Sequence, residues 1–232
     1  MLVDIFSSFD DNNQVFMSMY MLTWVFSLMS MSLFGFYYWV FSPFWNNIVS
    51  VFKDTVSSQI FRSFGLYLGG FVNLVSGLFI FLIFMNLSGL IPYVFSSTSH
   101  LGVSLSLGLP LWLSLIVSAV AYNPSSVAAG LLPMGAPAFL NPFLVIIESV
   151  SIVVRPITLS VRLTANMSAG HIVLTLIGNY LTTSFFSVSV LSMAMLVLTQ
   201  VFYTIFEFGI SVIQAYIFCL LITLYSDDHP SH

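Results

Sequence analysis

The chain has 232 residues, 59% of them hydrophobic and only 5% charged, with a formal net charge of -4 and a mean hydropathy of +1.05. Soluble domains carry about 25% charged residues, so this composition excludes a soluble globular fold and describes an integral membrane protein. Four Lys plus Arg form no basic patch, which excludes nucleic acid as a partner; the single Cys219 excludes an internal disulfide, and no spacing suggests a metal site or a nucleotide cofactor.

Residues 1–14 are polar and acidic, with Asp4, Asp10 and Asp11. They lack the positive stretch and cleavage site of a secretory signal and the Arg-rich character of a transit peptide, so insertion with nothing removed is expected. Residues 15–41 are uncharged and longer than the ~30 Å hydrocarbon core requires at about 1.5 Å per residue, which predicts a first span. Its aromatic end, Phe36-Tyr37-Tyr38-Trp39, suits a membrane interface. Over 45–64, Trp45, Ile48, Val49, Phe52, Val56, Ile60 and Phe64 recur at helical spacing, while Lys53, Asp54, Ser57, Ser58 and Arg62 lie off that stripe. The pattern predicts an amphipathic helix on the membrane surface; the alternative is a short helix packed on another subunit. Its two cations place it on the side of synthesis, with the acidic N-terminus opposite.

Residues 66–91 predict the next span, ended by Pro92. Gly65, Gly69, Gly70 and Gly77 read as points of close helix approach, and Asn73 and Asn86 as interhelical hydrogen-bonders. A loop over 93–102 carries His100, expected to be solvated. Residues 103–122 predict a span kinked at Pro110. Residues 127–142, broken by Gly130, Pro133, Gly135, Pro137 and Pro142, predict irregular chain held against protein. The last two apolar segments, 143–181 and 188–225, are too long for one perpendicular crossing; the first is ~58 Å as helix. Pro156 kinks rather than turns a helix, so the polar link Thr182-Thr183-Ser184 is the expected turn of a steeply tilted antiparallel hairpin. The expected fold is a single all-α polytopic membrane domain. It has five transmembrane helices, one membrane-surface helix and a polar tail over 226–232.

Charge inside this hairpin is the chemical signal. An arginine at the bilayer centre costs about 2.5–3.5 kcal/mol, yet Arg155 and Arg162 both lie in the 143–181 segment. Glu148, Arg155 and Arg162 are spaced by seven and share a helix face, with Asn166 one turn on. His171 is nine residues beyond Arg162, on the other side of the helix and about 13 Å along it. On the last helix Glu207, Gln214 and Asp228 also share a face. An antiparallel hairpin sorts these groups into three levels. His171 and Glu207 lie toward the tip, Arg162, Asn166 and Gln214 in the middle, and Glu148 with Asp227 and Asp228 at the far end. His and Glu exchange protons; Arg does not. Two titratable sets separated by a fixed cation describe two aqueous half-paths rather than one continuous proton wire. Plainer readings exist for each: Arg155 snorkelling or pairing with Glu148, His171 as an interhelical hydrogen-bonder, Glu207 paired with Arg162, Gln214 as packing.

The stretch Leu159-Ser160-Val161-Arg162-Leu163-Thr164-Ala165-Asn166, followed by Ala169-Gly170-His171, resembles subunit a of the F-type ATP synthase in its mitochondrial form. Asn86-Leu87-Ser88-Gly89-Leu90-Ile91-Pro92, Leu144-Val145-Ile146-Ile147-Glu148 and Ile213-Gln214-Ala215-Tyr216-Ile217-Phe218 agree with the same family. The resemblance runs from about residue 65 to the end. It implies a multi-pass protein of the mitochondrial inner membrane with no ATP chemistry and no cofactor of its own. Its partners would be a ring of small proteolipid c subunits and the peripheral-stalk and other membrane-sector subunits, with protons as the transported species. Arg162 would face the ring as the essential proton-transfer arginine, His171 and Glu207 would line the inlet half-channel, Glu148 and Asp228 the exit half-channel, and Asn166 and Gln214 would orient the arginine. Arg155 matches no essential position. The competing classes are a secondary transporter or ion channel with a midplane arginine site, or a structural subunit of another respiratory complex. No internal repeat of the kind transporters show is visible.

Overall fold

In the computed structural model, residues 25, 44–91, 96–132, 139–187 and 190–229 are described. Among them there are helices and no strands. They comprise α1 (Phe44–Ile60), a 3-10 turn (Phe64–Tyr67), α2 (Phe71–Gly89), a 3-10 turn (Ser97–Ser99), α3 (Leu101–Tyr122), α4 (Pro124–Gly130), α5 (Asn141–Ser187) and α6 (Val190–Asp227). Four of these are long and apolar enough to cross a membrane: α2, α3, α5 and α6. The expected first span over 15–41 lies, apart from Val25, outside the described residues.

The stripe of α1 has the expected period. Val56 and Ile60 are buried, and the Phe52 ring meets Phe79 of α2 edge-on at 6.1 Å between centroids. The apolar face is therefore packed on the chain's own helices, and Lys53 and Asp54 are exposed. The stripe stops at Ile60, since Phe64 is exposed. The span expected from 66 starts at Phe71 because Gly70 has φ +82, a left-handed conformation that favours glycine and interrupts a helix. Of the four glycines expected at close approaches, only Gly65 is at one. A methyl there would stand 2.6 Å from the Phe71 ring and 2.8 Å from Ser226 Oγ, whereas Gly69, Gly70 and Gly77 face open space.

Residues 124–130, part of which was expected to be irregular, form the short helix α4. Pro124 opens it, where a missing N–H costs nothing, and Asn123 caps it by accepting from Ser126 N. α5 runs 47 residues, straight past Pro156 and past the expected turn. Thr182, Thr183 and Ser184 stay helical because their hydroxyls donate to carbonyls three or four residues back, at 2.8–3.2 Å, and so need no loop. The next helix, α6, begins at Val190. At about 1.5 Å per residue both helices exceed the ~30 Å hydrocarbon core.

The chain forms two compact units, and each long helix contributes to both. Unit 1 takes in Phe81–His100 and Leu163–Ala215; unit 2 takes in Ile48–Ile80, Leu101–Arg162 and Tyr216–His232. In unit 1, buried Leu82, Ile83, Leu163, Met167 and Ala215 form the apolar core. In unit 2 the core is Val56, Ile60, Val75, Phe79, Phe218 and Ile222, with Cys219 buried among them as a small hydrophobe. Gly108 of α3 packs against Leu159 of α5 there, with 3.4 Å from a would-be methyl to Leu159 Cδ2.

Candidate functional site

The polar residues of the long helices sort by unit. In unit 1, Asn166 Nδ2 on α5 donates to Gln214 Oε1 on α6 at 2.8 Å. One turn on, Gly170 faces Glu207. A methyl on Gly170 would run into Glu207 Oε1 and stand 2.6 Å from its Cδ, so the glycine is what gives the carboxylate room. Glu207 is 3% exposed, and neither carboxylate oxygen has a hydrogen-bond partner among the described residues. It is therefore not spent on an ion pair with Arg162. His171, the chain neighbour of Gly170, is half-buried, and its Nε2 would stand 3.9 Å from a methyl on Gly89. Unit 1 thus brings His171 and Glu207 to one level, as their spacing predicts.

Asn86 makes the expected interhelical bond: its Nδ2 donates to the Ser211 carbonyl at 3.2 Å, one turn from Glu207 on α6. Asn73 instead lies on the exposed face of α2. His100 is half-buried rather than solvated, because the whole turn before it, Ser96 to Ser99, is buried. That turn escapes sequence reasoning: serine runs usually mark solvated loops, and only packing reveals the burial.

In unit 2, Arg155 holds two of the three carboxylates expected at the far level. Its Nη1 lies 2.6 Å from Asp228 Oδ2 and its Nη2 3.6 Å from Glu148 Oε1, while the guanidinium sits 5.6 Å from the Tyr225 ring centroid. The planar fork suits two acids at once, and the ring face adds a cation–π contact. Tyr225 gives no signal of this role in the sequence. Asp227 turns elsewhere: its Oδ1 accepts from Phe64 N at 2.8 Å, capping the 3-10 turn whose own N-cap, Ser63, makes no side-chain cap bond because its hydroxyl donates back to the Ile60 carbonyl.

Arg162 is exposed beside exposed Val161 and Ile157 on α5, and it forms no ion pair with a carboxylate among the described residues. On a helix apolar enough to span a membrane, such a cation is costly unless a negative charge faces it. Among the described residues no cluster of three or more His, Cys, Asp or Glu could hold a metal.

The chain matches the family model described as ATP synthase A chain over residues 14–227. It is 37% identical over 238 residues to a protein of Aedes albopictus named ATP synthase subunit a, covering 98% of this chain and 99% of that one. A protein of the same name from Drosophila yakuba is 37% identical over 233 residues, with 98% and 99% covered. One from Artemia franciscana is 45% identical over 155 residues, covering 67% of this chain and 69% of that protein.

Proposed function

This chain belongs to the ATP synthase A chain family, and on that premise we infer that it is the proton-translocating stator subunit of the synthase's membrane sector. It is non-catalytic toward ATP and sits in the mitochondrial inner membrane against a rotating ring of small proteolipid c subunits. The peripheral stalk and other membrane-sector subunits hold it in place. The observation that carries this reading is Arg162, exposed on a spanning helix with no carboxylate paired to it among the described residues. A ring carboxylate must be neutral while it faces lipid, where charge is expensive, and can ionise opposite a fixed cation. Arg162 is that cation, and because it does not give up its proton it also blocks direct leakage.

The two titratable sets support two half-channels. Glu207 and His171 belong to unit 1 and form the inlet, loading protons from the intermembrane space. Glu148 and Asp228 belong to unit 2 and form the exit, releasing protons to the matrix. Asn166 and Gln214, bonded to each other at 2.8 Å, orient the arginine's surroundings. A proton reaches the exit only by riding the ring, and each passage down the membrane potential is worth about 2.3 kcal/mol per 100 mV. The last two helices are steeply tilted, α1 rests at the membrane surface, and residues 15–41 supply a fifth span.

The test is Arg162→Ala in the assembled complex. On a native gel the variant is expected to migrate with an ATP-hydrolysing band and a small proteolipid, while ATP-driven proton pumping is abolished. Normal pumping in that variant overturns the assignment, and migration apart from the hydrolysing band removes its basis.

A further inference from the structure

Four consecutive hydroxyl side chains, Ser96, Ser97, Thr98 and Ser99, are 6%, 4%, 1% and 8% exposed. Hydroxyls mostly lie at surfaces, so a fully buried run of them needs an explanation. Capping is not one, because Ser96 makes no side-chain cap bond to the 3-10 turn that follows it. Ser99 Oγ donates to the Ser96 carbonyl at 2.6 Å, but Thr98 Oγ1 has no hydrogen-bond partner among the described residues. The same is true in this unit of Asn86 Oδ1 and of both oxygens of Glu207, on residues 0% and 3% exposed.

The segments that carry these groups touch one another. Ser96 Cβ would stand 3.0 Å from a methyl on Gly89, and His171 Nε2 3.9 Å from the same point. Gly170, next to His171, is the residue against which the Glu207 carboxylate lies. One turn along α6 from Glu207, the Ser211 carbonyl accepts from Asn86. The turn, the end of α2 and the two long helices therefore meet within unit 1; α5 carries half-buried His171, and the other three carry these buried polar residues. Their unsatisfied atoms are mainly acceptors with one hydroxyl. Water suits such a set, since it both donates and accepts and makes about three bonds where it is buried.

We propose that the Ser96–His100 segment is a third wall of the proton inlet, that ordered water binds between it and Glu207, and that Thr98 is the residue positioning that water. This rests on the reading of His171 and Glu207 as the inlet. It adds a segment to the path that is neither on the two long helices nor charged.

Water access is read with silver ion, which reacts with thiols that water reaches. Thr98→Cys and Ser211→Cys are made separately in the whole complex, with the unsubstituted complex, whose Cys219 is buried, as background. Silver is expected to inhibit ATP-driven proton pumping in both variants and not in the background. Inhibition of Ser211→Cys alone overturns the third wall and leaves the inlet reading standing. Silence in both overturns the inlet reading as well, and inhibition of Thr98→Cys alone overturns a compartment shared with Glu207. A second pair separates positioning from packing. Thr98→Val, the same shape without the hydroxyl, is expected to slow pumping about two- to tenfold, the worth of one hydrogen bond, with normal assembly. Thr98→Ser is expected to restore it. Equal rates in Val and Ser variants refute the role of the hydroxyl.

Discussion

Gly170→Ala puts the inlet geometry to the sharpest test. The added methyl would stand 2.6 Å from Glu207 Cδ and 3.3 Å from Cγ, against an ordinary carbon separation of about 3.5–4.0 Å. The carboxyl must retreat by about 1 Å. It is the far end of a flexible side chain, so the retreat is a torsional one costing about 0.5–1.5 kcal/mol. Replacing glycine inside a helix returns roughly 0.5–1 kcal/mol through lower chain entropy. The two terms nearly cancel, and the complex should assemble in normal amount. Function should not be spared: a displacement of about 1 Å at a positioned reacting group costs up to about 10²-fold in rate. The assay is ATP-driven quenching of a pH-sensitive dye in inverted membrane vesicles, normalised to complex on a native gel. Gly178→Ala on the same helix is the control, since nothing lies within 4 Å of the methyl it would add. Wild-type pumping in Gly170→Ala refutes the reasoning, and loss of assembly refutes the energy balance.

Glu207→Gln keeps the shape of a buried side chain but cannot exchange a proton; assembly should hold while pumping in the same vesicles falls to background. Asn86→Leu removes the donor to the Ser211 carbonyl and should cost about 0.5–1.5 kcal/mol, seen as a lower midpoint when the purified complex is heated in detergent. Arg155→Lys replaces a fork by a single ammonium that cannot hold Glu148 and Asp228 together; with both pairs partly exposed, stability should change by less than about 1 kcal/mol while pumping slows. Gln214→Leu and Asn166→Leu should each lower pumping, and the double variant should be little worse than either, because both delete one shared bond.

Periodicity carries much of the fold. The stripe of α1, the 103–122 span and the seven-residue spacing that brings Arg155 to Glu148 are local consequences of 3.6 residues per turn, and they are legible without coordinates. The Asn166–Gln214 pair follows from the same reasoning applied to two antiparallel helices. What is not legible depends on neighbours distant in sequence. Thr182 to Ser184 look like a loop but satisfy their hydroxyls inside the helix. Gly65 and Gly170 sit at crossings and Gly69 and Gly77 do not, which composition cannot distinguish. Burial of Ser96 to Ser99, and the docking of α1 on its own chain, are decided by packing alone.

The bond from Phe64 N to Asp227 spans 163 positions, and it bears on the order in which the protein is made. Unit 2 is assembled from Ile48–Ile80, Leu101–Arg162 and Tyr216–His232, so its earliest segment waits for its latest. Closing so long a loop is entropically slow, and no ribosome-bound chain can complete it before the final helix turns are released. Until then the turn at Phe64 lacks its cap, and the core around Val56 and Ile60 lacks Phe218 and Ile222. Asp227 thus closes unit 2 only after all four spanning helices have been made. A chain cut before Tyr216 keeps its earlier hydrophobic segments yet leaves the apolar core of unit 2 open, the kind of exposed surface that makes incomplete folds prone to aggregate.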